Sequence, residues 1–180
     1  MEHFARRVAV LVFCMWLAAA TSAQTPRPAQ PGKPSMLPAP TQPVILTVTG
    51  KITTRNRGEA AIFDAAMIAK LPTHEFRTWT PWFKEPVTFR GPLLQTLLDA
   101  VGAQGETLHM VALNDYAVNV PVSDARKFGP LLATHIDGKA LGVRDKGPLF
   151  LIYPFDAKPE TRVDQYYGRS IWQITRVTVQ

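Results

Sequence analysis

Apolar and polar positions along this chain follow two periods, one near 2 that marks strands and one near 3.6 that marks helices. Residues 44–49 are β-branched and apolar and stop at Gly50, which predicts a strand. Asp64 precedes the apolar stretch 65–71, and Pro72 follows it, which predicts a short N-capped helix. Residues 87–89 predict a short strand. Leu93, Leu94, Leu97, Leu98 and Val101 recur at helical spacing between Pro92 and Gly102, so a helix with one core-facing stripe and a glycine cap is predicted there. Residues 107–113 and 116–120 read as a hairpin around Asn114 and Asp115. Ser123 and Asp124 are predicted to cap a short helix ending at Phe128. Residues 131–136 and 140–143 flank Asp137 and Gly138, a strong hairpin signal. Residues 149–153 are continuously apolar, as a fully buried strand requires, and 171–179 alternate as a closing strand. Strands dominate, helices are short, and no strand–helix–strand alternation appears. The predicted class is α+β, mainly β, in one domain over residues 44–180.

Two segments precede that domain. Arg6 and Arg7 stand before an apolar run over residues 8–20, and small residues follow at 21–23. This is the pattern of a signal peptide cleaved after Ala23, and the run is short for a membrane span. The protein is therefore expected to be exported, to a bacterial periplasm. Residues 24–43 hold seven prolines and no aromatic residue, which predicts an extended, disordered spacer.

Export removes the only cysteine, Cys14. A mature chain without a thiol excludes disulfides, a thiolate nucleophile, a thiolate metal ligand and a redox cysteine pair. The net charge of +6 falls to +5 once two arginines and one glutamate leave with the leader, a mild excess without a long basic stripe. Ser123 and Ser170, the serines of the domain, lie outside any Gly-x-Ser-x-Gly pattern. His74, His109 and His135 lack zinc-ligand spacing, and no glycine-rich phosphate loop opens a helix. Asp156, Glu160 and Asp164 read as a solvated loop face rather than a hydrolase carboxylate pair.

Three segments carry candidate chemistry. Arg77, Thr78, Trp79 and Trp82 form a tryptophan-rich stretch that could offer a flat ring to an aromatic ligand, or fill the core. Asn114, Asp115 and Tyr116 could give directional hydrogen bonds to ring nitrogens and amides, although Asn and Asp suit a turn for backbone reasons alone. Arg144 and Lys146, with Arg169 and Ser170, could converge on an anion, with Gly147 allowing close backbone approach. An ordinary charged turn is the competing account.

In order, Phe89-Arg90-Gly91-Pro92-Leu93-Leu94, Ala112-Leu113-Asn114-Asp115-Tyr116, Asp137-Gly138-Lys139, Arg144-Asp145-Lys146-Gly147-Pro148 and Arg169-Ser170-Ile171-Trp172-Gln173 resemble the oxidoreductase molybdopterin-binding domain, the core of the sulfite oxidase fold, in a short exported form. The resemblance spans nearly all of residues 44–180 and implies a compact, mainly β domain. Catalytic members of that family hold molybdenum through a cysteine just before the Gly-Pro-Leu-Leu helix. Residues 76–89 hold none here, and neither Thr78 nor Thr80 is an equivalent soft donor. The resemblance therefore implies a pterin-binding protein, its ligand metal-free or molybdopterin-like, that reports occupancy to a membrane signalling enzyme of cyclic di-GMP turnover. The alternatives are a molybdenum-cofactor oxidoreductase with a cysteine-free metal site and a scaffold with a vestigial pocket.

Overall fold

The computed structural model describes residues 37–180. The expected signal peptide and the proline-rich stretch through residue 36 lie outside the described residues. Among the described residues no helix is long and apolar enough to cross a membrane.

The elements in chain order are β1 (Val44–Gly50), β2 (Ala61–Asp64), α1 (Ala65–Ala69), β3 (Thr73–Thr78), β4 (Val87–Pro92), α2 (Leu94–Val101), β5 (Thr107–Ala112), β6 (Ala117–Pro121), α3 (Val122–Phe128), β7 (Leu131–Ala133), β8 (His135–Ile136), β9 (Lys139–Ala140), β10 (Phe150–Ile152), α4 (Asp164–Arg169) and β11 (Ile174–Val179). A five-stranded sheet runs β2-β1-β11-β5-β6, a four-stranded sheet β3-β4-β8-β9, and β10 pairs with β7. Among the described residues only β1 and β11 pair in parallel; the other pairs are antiparallel. The domain is mainly β with few short helices, as the pattern predicted.

The core faces follow the apolar positions. Leu46 and Val48 of β1, Leu108 and Met110 of β5, and Val177 and Val179 of β11 are buried at period two, and Leu94, Leu97, Leu98 and Val101 bury the stripe of α2. A bulge between Ile174 and Arg176 resets the phase of β11. Ile174 therefore turns inward with Val177, where strict alternation from residue 171 had put Thr175. The buried strand expected over 149–153 is β10 with its flanks: Leu149, Phe150, Leu151, Ile152 and Tyr153 are all fully buried.

Several expectations change. The helix α3 starts at Val122 behind Pro121 and makes no side-chain capping bond, so Ser123 and Asp124 are not its caps. Asp124 instead turns inward. The strand expected over 131–136 breaks at Thr134, which passes it from the β7–β10 ribbon to the four-stranded sheet. The partner strand expected over 140–143 ends at Ala140, and Val143–Asp145 forms a 3-10 turn. The turn between β8 and β9 is as predicted: Asp137 and Gly138 have φ of 46° and 76°, the left-handed conformation of a tight hairpin. β2, β3 and α4 had no counterpart in the pattern reading.

Asp64 caps α1 as predicted, accepting from the Met67 N–H at 2.8 Å. It also accepts from the N–H groups of Thr41 (2.7 Å) and Gln42 (3.0 Å), while the Pro38 carbonyl accepts from Asn56. The last residues of the proline-rich stretch are thereby fastened to the domain. These bonds, the Met67 one foremost, hold the Asp64 carboxyl below the usual carboxylate range against the opposing effect of burial. A depressed folded value stabilises fully above the unfolded value of about 3.9 and is lost as pH falls through the folded value. Urea midpoints measured from neutral to acid pH should therefore drop on the acid side, and Asp64→Asn should start lower at neutral pH and drop less. An identical acid limb in both proteins would refute the assignment.

Candidate functional site

A cleft of about 390 Å³ opens at the end of the five-stranded sheet where β5 finishes and β11 begins. Its lining comes from four places: Trp82 from the loop between β3 and β4; Ala112, Asn114 and Tyr116 from the β5–β6 turn; Tyr167 and Gly168 from α4; and Ser170, Ile171 and Trp172 from the link into β11. Four of the nine residues are aromatic, and none carries a formal charge at neutral pH.

The rings are set at steep angles. Trp82 meets Tyr167 at 85° with centroids 6.3 Å apart, and Trp172 at 77° and 5.8 Å. Behind it stand Phe150 at 5.8 Å and Phe155 at 6.4 Å. Edge-to-face packing of this kind fixes each ring against its neighbours. Trp82 is half-buried, so it is both a core residue and a cleft wall.

The β5–β6 turn is shaped by its own polar residues. Asp115 adopts φ 61° and its N–H bonds to the Ala112 carbonyl at 3.1 Å, while the Asn114 side-chain oxygen accepts from the Tyr116 N–H at 3.3 Å. Tyr116, 52% exposed, reaches across the rim, where its hydroxyl donates to the Gly168 carbonyl over a long 3.4 Å. The Ser170 hydroxyl is spent locally on the Tyr166 carbonyl at 2.9 Å. The Asn114 amide nitrogen makes no hydrogen bond among the described residues.

Of the residues singled out in the sequence, Trp82, Asn114, Tyr116 and Ser170 line this cleft. Others lie elsewhere. Trp79 is 39% exposed and touches Tyr167 edge-on at 6.5 Å without lining the cleft. Arg77 lies on β3 and donates to the Pro86 carbonyl. Thr78 is fully buried; its hydroxyl accepts from the Asp156 N–H at 3.0 Å and donates to the Trp79 carbonyl. The Asp156 carboxylate in turn accepts from the Trp79 N–H at 2.8 Å and pairs with Arg162, so it locks the start of the tryptophan loop. Asp115 pairs with Arg176 on the exposed sheet surface. Arg169 pairs with buried Asp124 at 2.8 Å.

Arg144 and Lys146 line a second cleft of about 570 Å³, with Phe83, Ile136, Asp137, Lys139 and Asp145 among its walls. Arg169 lines neither cleft and pairs with Asp124, so it does not join Arg144 and Lys146 there. Gly147 does serve a close approach, but to its own chain: a Cβ there would stand 2.2 Å from the Leu141 carbonyl oxygen. Lys146 of the second cleft has its ammonium 3.9 Å over the ring of Trp172, which lines the first. Tyr167, Ile171 and Trp172 were not anticipated as lining. The Ser170-Ile171-Trp172 motif was the available signal.

Residues 76–89 do not fit a protein-bound molybdenum. Thr78 and Thr80 are fully buried, their hydroxyls bonded within the chain, and neither supplies soft sulfur. Among the described residues no three of His, Cys, Asp and Glu come together as a metal group. No protein-family model matches the chain, and no curated protein matches it.

Partial burial holds the Lys146 ammonium below the usual lysine range. As pH rises it should lose its proton earlier than an exposed lysine. Tryptophan emission should therefore show a step centred below about 10.4, the ordinary lysine value. That step should vanish in Lys146→Met; its survival would assign it to another group.

Proposed function

We propose that the chain is an exported binding module that holds a pterin in the aromatic cleft, on a compact core of the sulfite oxidase type. The observation that carries this reading is the steep ring arrangement of Trp82, Tyr167 and Trp172 around an uncharged lining. Such a lining suits a flat, neutral heteroaromatic ring: the rings offer apolar faces, and the free Asn114 amide offers a directional donor to a ring oxygen or nitrogen. The volume of about 390 Å³ falls within the range of small-molecule clefts, about 300–1,000 Å³. The ordered segments that resemble the molybdopterin-binding domain name a pterin among such rings. Without a soft donor in residues 76–89, the output of the site is occupancy rather than turnover, read by the periplasmic part of a membrane signalling partner.

Binding of a reduced pterin, followed by tryptophan quenching, tests the reading. Loss of one stacking ring at comparable sites costs about 1–3 kcal/mol, or about 5- to 150-fold in affinity. Trp82→Ala and Trp172→Ala should each fall in that range, and Trp79→Ala should stay within about twofold. Equal losses at Trp79 and Trp82, or no binding by the parent protein, would overturn the reading.

A further inference from the structure

We infer that Asp124, which is not among the cleft's lining residues, is the positioning residue of the aromatic cleft. It acts through Arg169. Five of the nine lining residues, Tyr167, Gly168, Ser170, Ile171 and Trp172, fall within six consecutive positions, and Arg169 is the sixth. Arg169 alone of that run points the other way, into Asp124 on α3.

The anchor is built for one geometry. Asp124 is 5% exposed, and one of its oxygens, Oδ2, accepts from both Arg169 and the Tyr153 hydroxyl, each at 2.8 Å. Tyr153 is fully buried; burial first, then its bond to Asp124, raises its phenol far above the ordinary value and keeps it a donor. Tyr166 of α4 lies between Phe128 (5.0 Å) and Tyr153 (5.3 Å), with the Arg169 guanidinium 5.2 Å from its ring centre. One side of α4 thus grips the core while Tyr167 faces the cleft. The helix has six residues, no side-chain cap and no buried residue of its own, so it cannot hold its place through local bonds. A largely buried ion pair such as this one, with Asp124 buried and Arg169 partly so, is a poor source of net stability compared with apolar packing, but it accepts one arrangement only. The pair therefore sets where the cleft wall stands more than how stable the domain is.

Replacing the whole network by apolar side chains, Asp124→Leu with Arg169→Met and with Tyr153→Phe to remove the hydroxyl that would otherwise lose its acceptor, separates the two roles, because such swaps commonly leave stability unchanged or raised. Three readouts are compared with the parent: urea midpoint, amide hydrogen exchange across residues 165–172, and affinity for a reduced pterin. The expected result is an unchanged or raised midpoint, exchange in 165–172 faster by tenfold or more, and pterin affinity weaker by tenfold or more. Arg169→Lys, which keeps the charge, should recover part of both losses. Parental exchange in α4 overturns the inference. So does exchange that accelerates across the whole domain in step with a lowered midpoint, since the pair then serves the fold at large. Should the triple variant not fold, Asp124→Asn is read by the same criteria. Only the affinity arm rests on the pterin reading. If the parent binds no pterin, that reading fails, and the exchange arm still decides the role of Asp124.

Discussion

Phe150 is the point on which the sheets converge. It pairs with Ala133 in the β7–β10 ribbon and forms an isolated bridge with Trp172, at the entry to the five-stranded sheet. Its ring meets Phe89 of the four-stranded sheet at 85°, Trp172 at 86° and Trp82 at 64°, each with centroids 5.8 Å apart. Aromatic rings at such angles tolerate little change in volume or orientation. The joint therefore fixes Trp82 and Trp172 together, and those two rings, edge to face at 5.8 Å, both line the cleft. Cleft geometry is in this sense a by-product of how the sheets are joined.

Charge is kept to the margins of that arrangement. Asp115 goes to Arg176, Arg169 to Asp124, and Asp156 to Arg162 and the Trp79 backbone. Arg144 and Lys146 stand at the neighbouring cleft. What remains facing the aromatic cleft is neutral and largely apolar. Such a lining favours a flat uncharged ring, so selectivity would come from ring shape and the Asn114 edge contact, with the Lys146 ammonium over the Trp172 ring as the cation at its border.

The fold class was legible because the long periodic segments carry it. The leucine stripe of α2, the β5–β6 hairpin and the apolar run through β10 all form where the pattern put them. β3 was not legible: it is an edge strand whose residues are mostly exposed and polar, so it shows no apolar period. α4 was not legible because contacts from Asp124, Phe128 and Tyr153, distant in sequence, hold it. In the site, aromatic and turn residues were partly readable: Trp82, Asn114, Tyr116 and Ser170 do come together. The charged candidates were not. Whether an arginine faces a ligand or a buried carboxylate depends on its partner, and nothing near Arg169 in the sequence announces Asp124.

The central claim is that the cleft holds a pterin without a protein-bound metal. Protein recovered from its native compartment, assayed for molybdenum and for extractable pterin fluorescence, tests it most directly. Stoichiometric pterin with no molybdenum is the predicted result. Stoichiometric molybdenum would contradict it and turn the account toward an oxidoreductase.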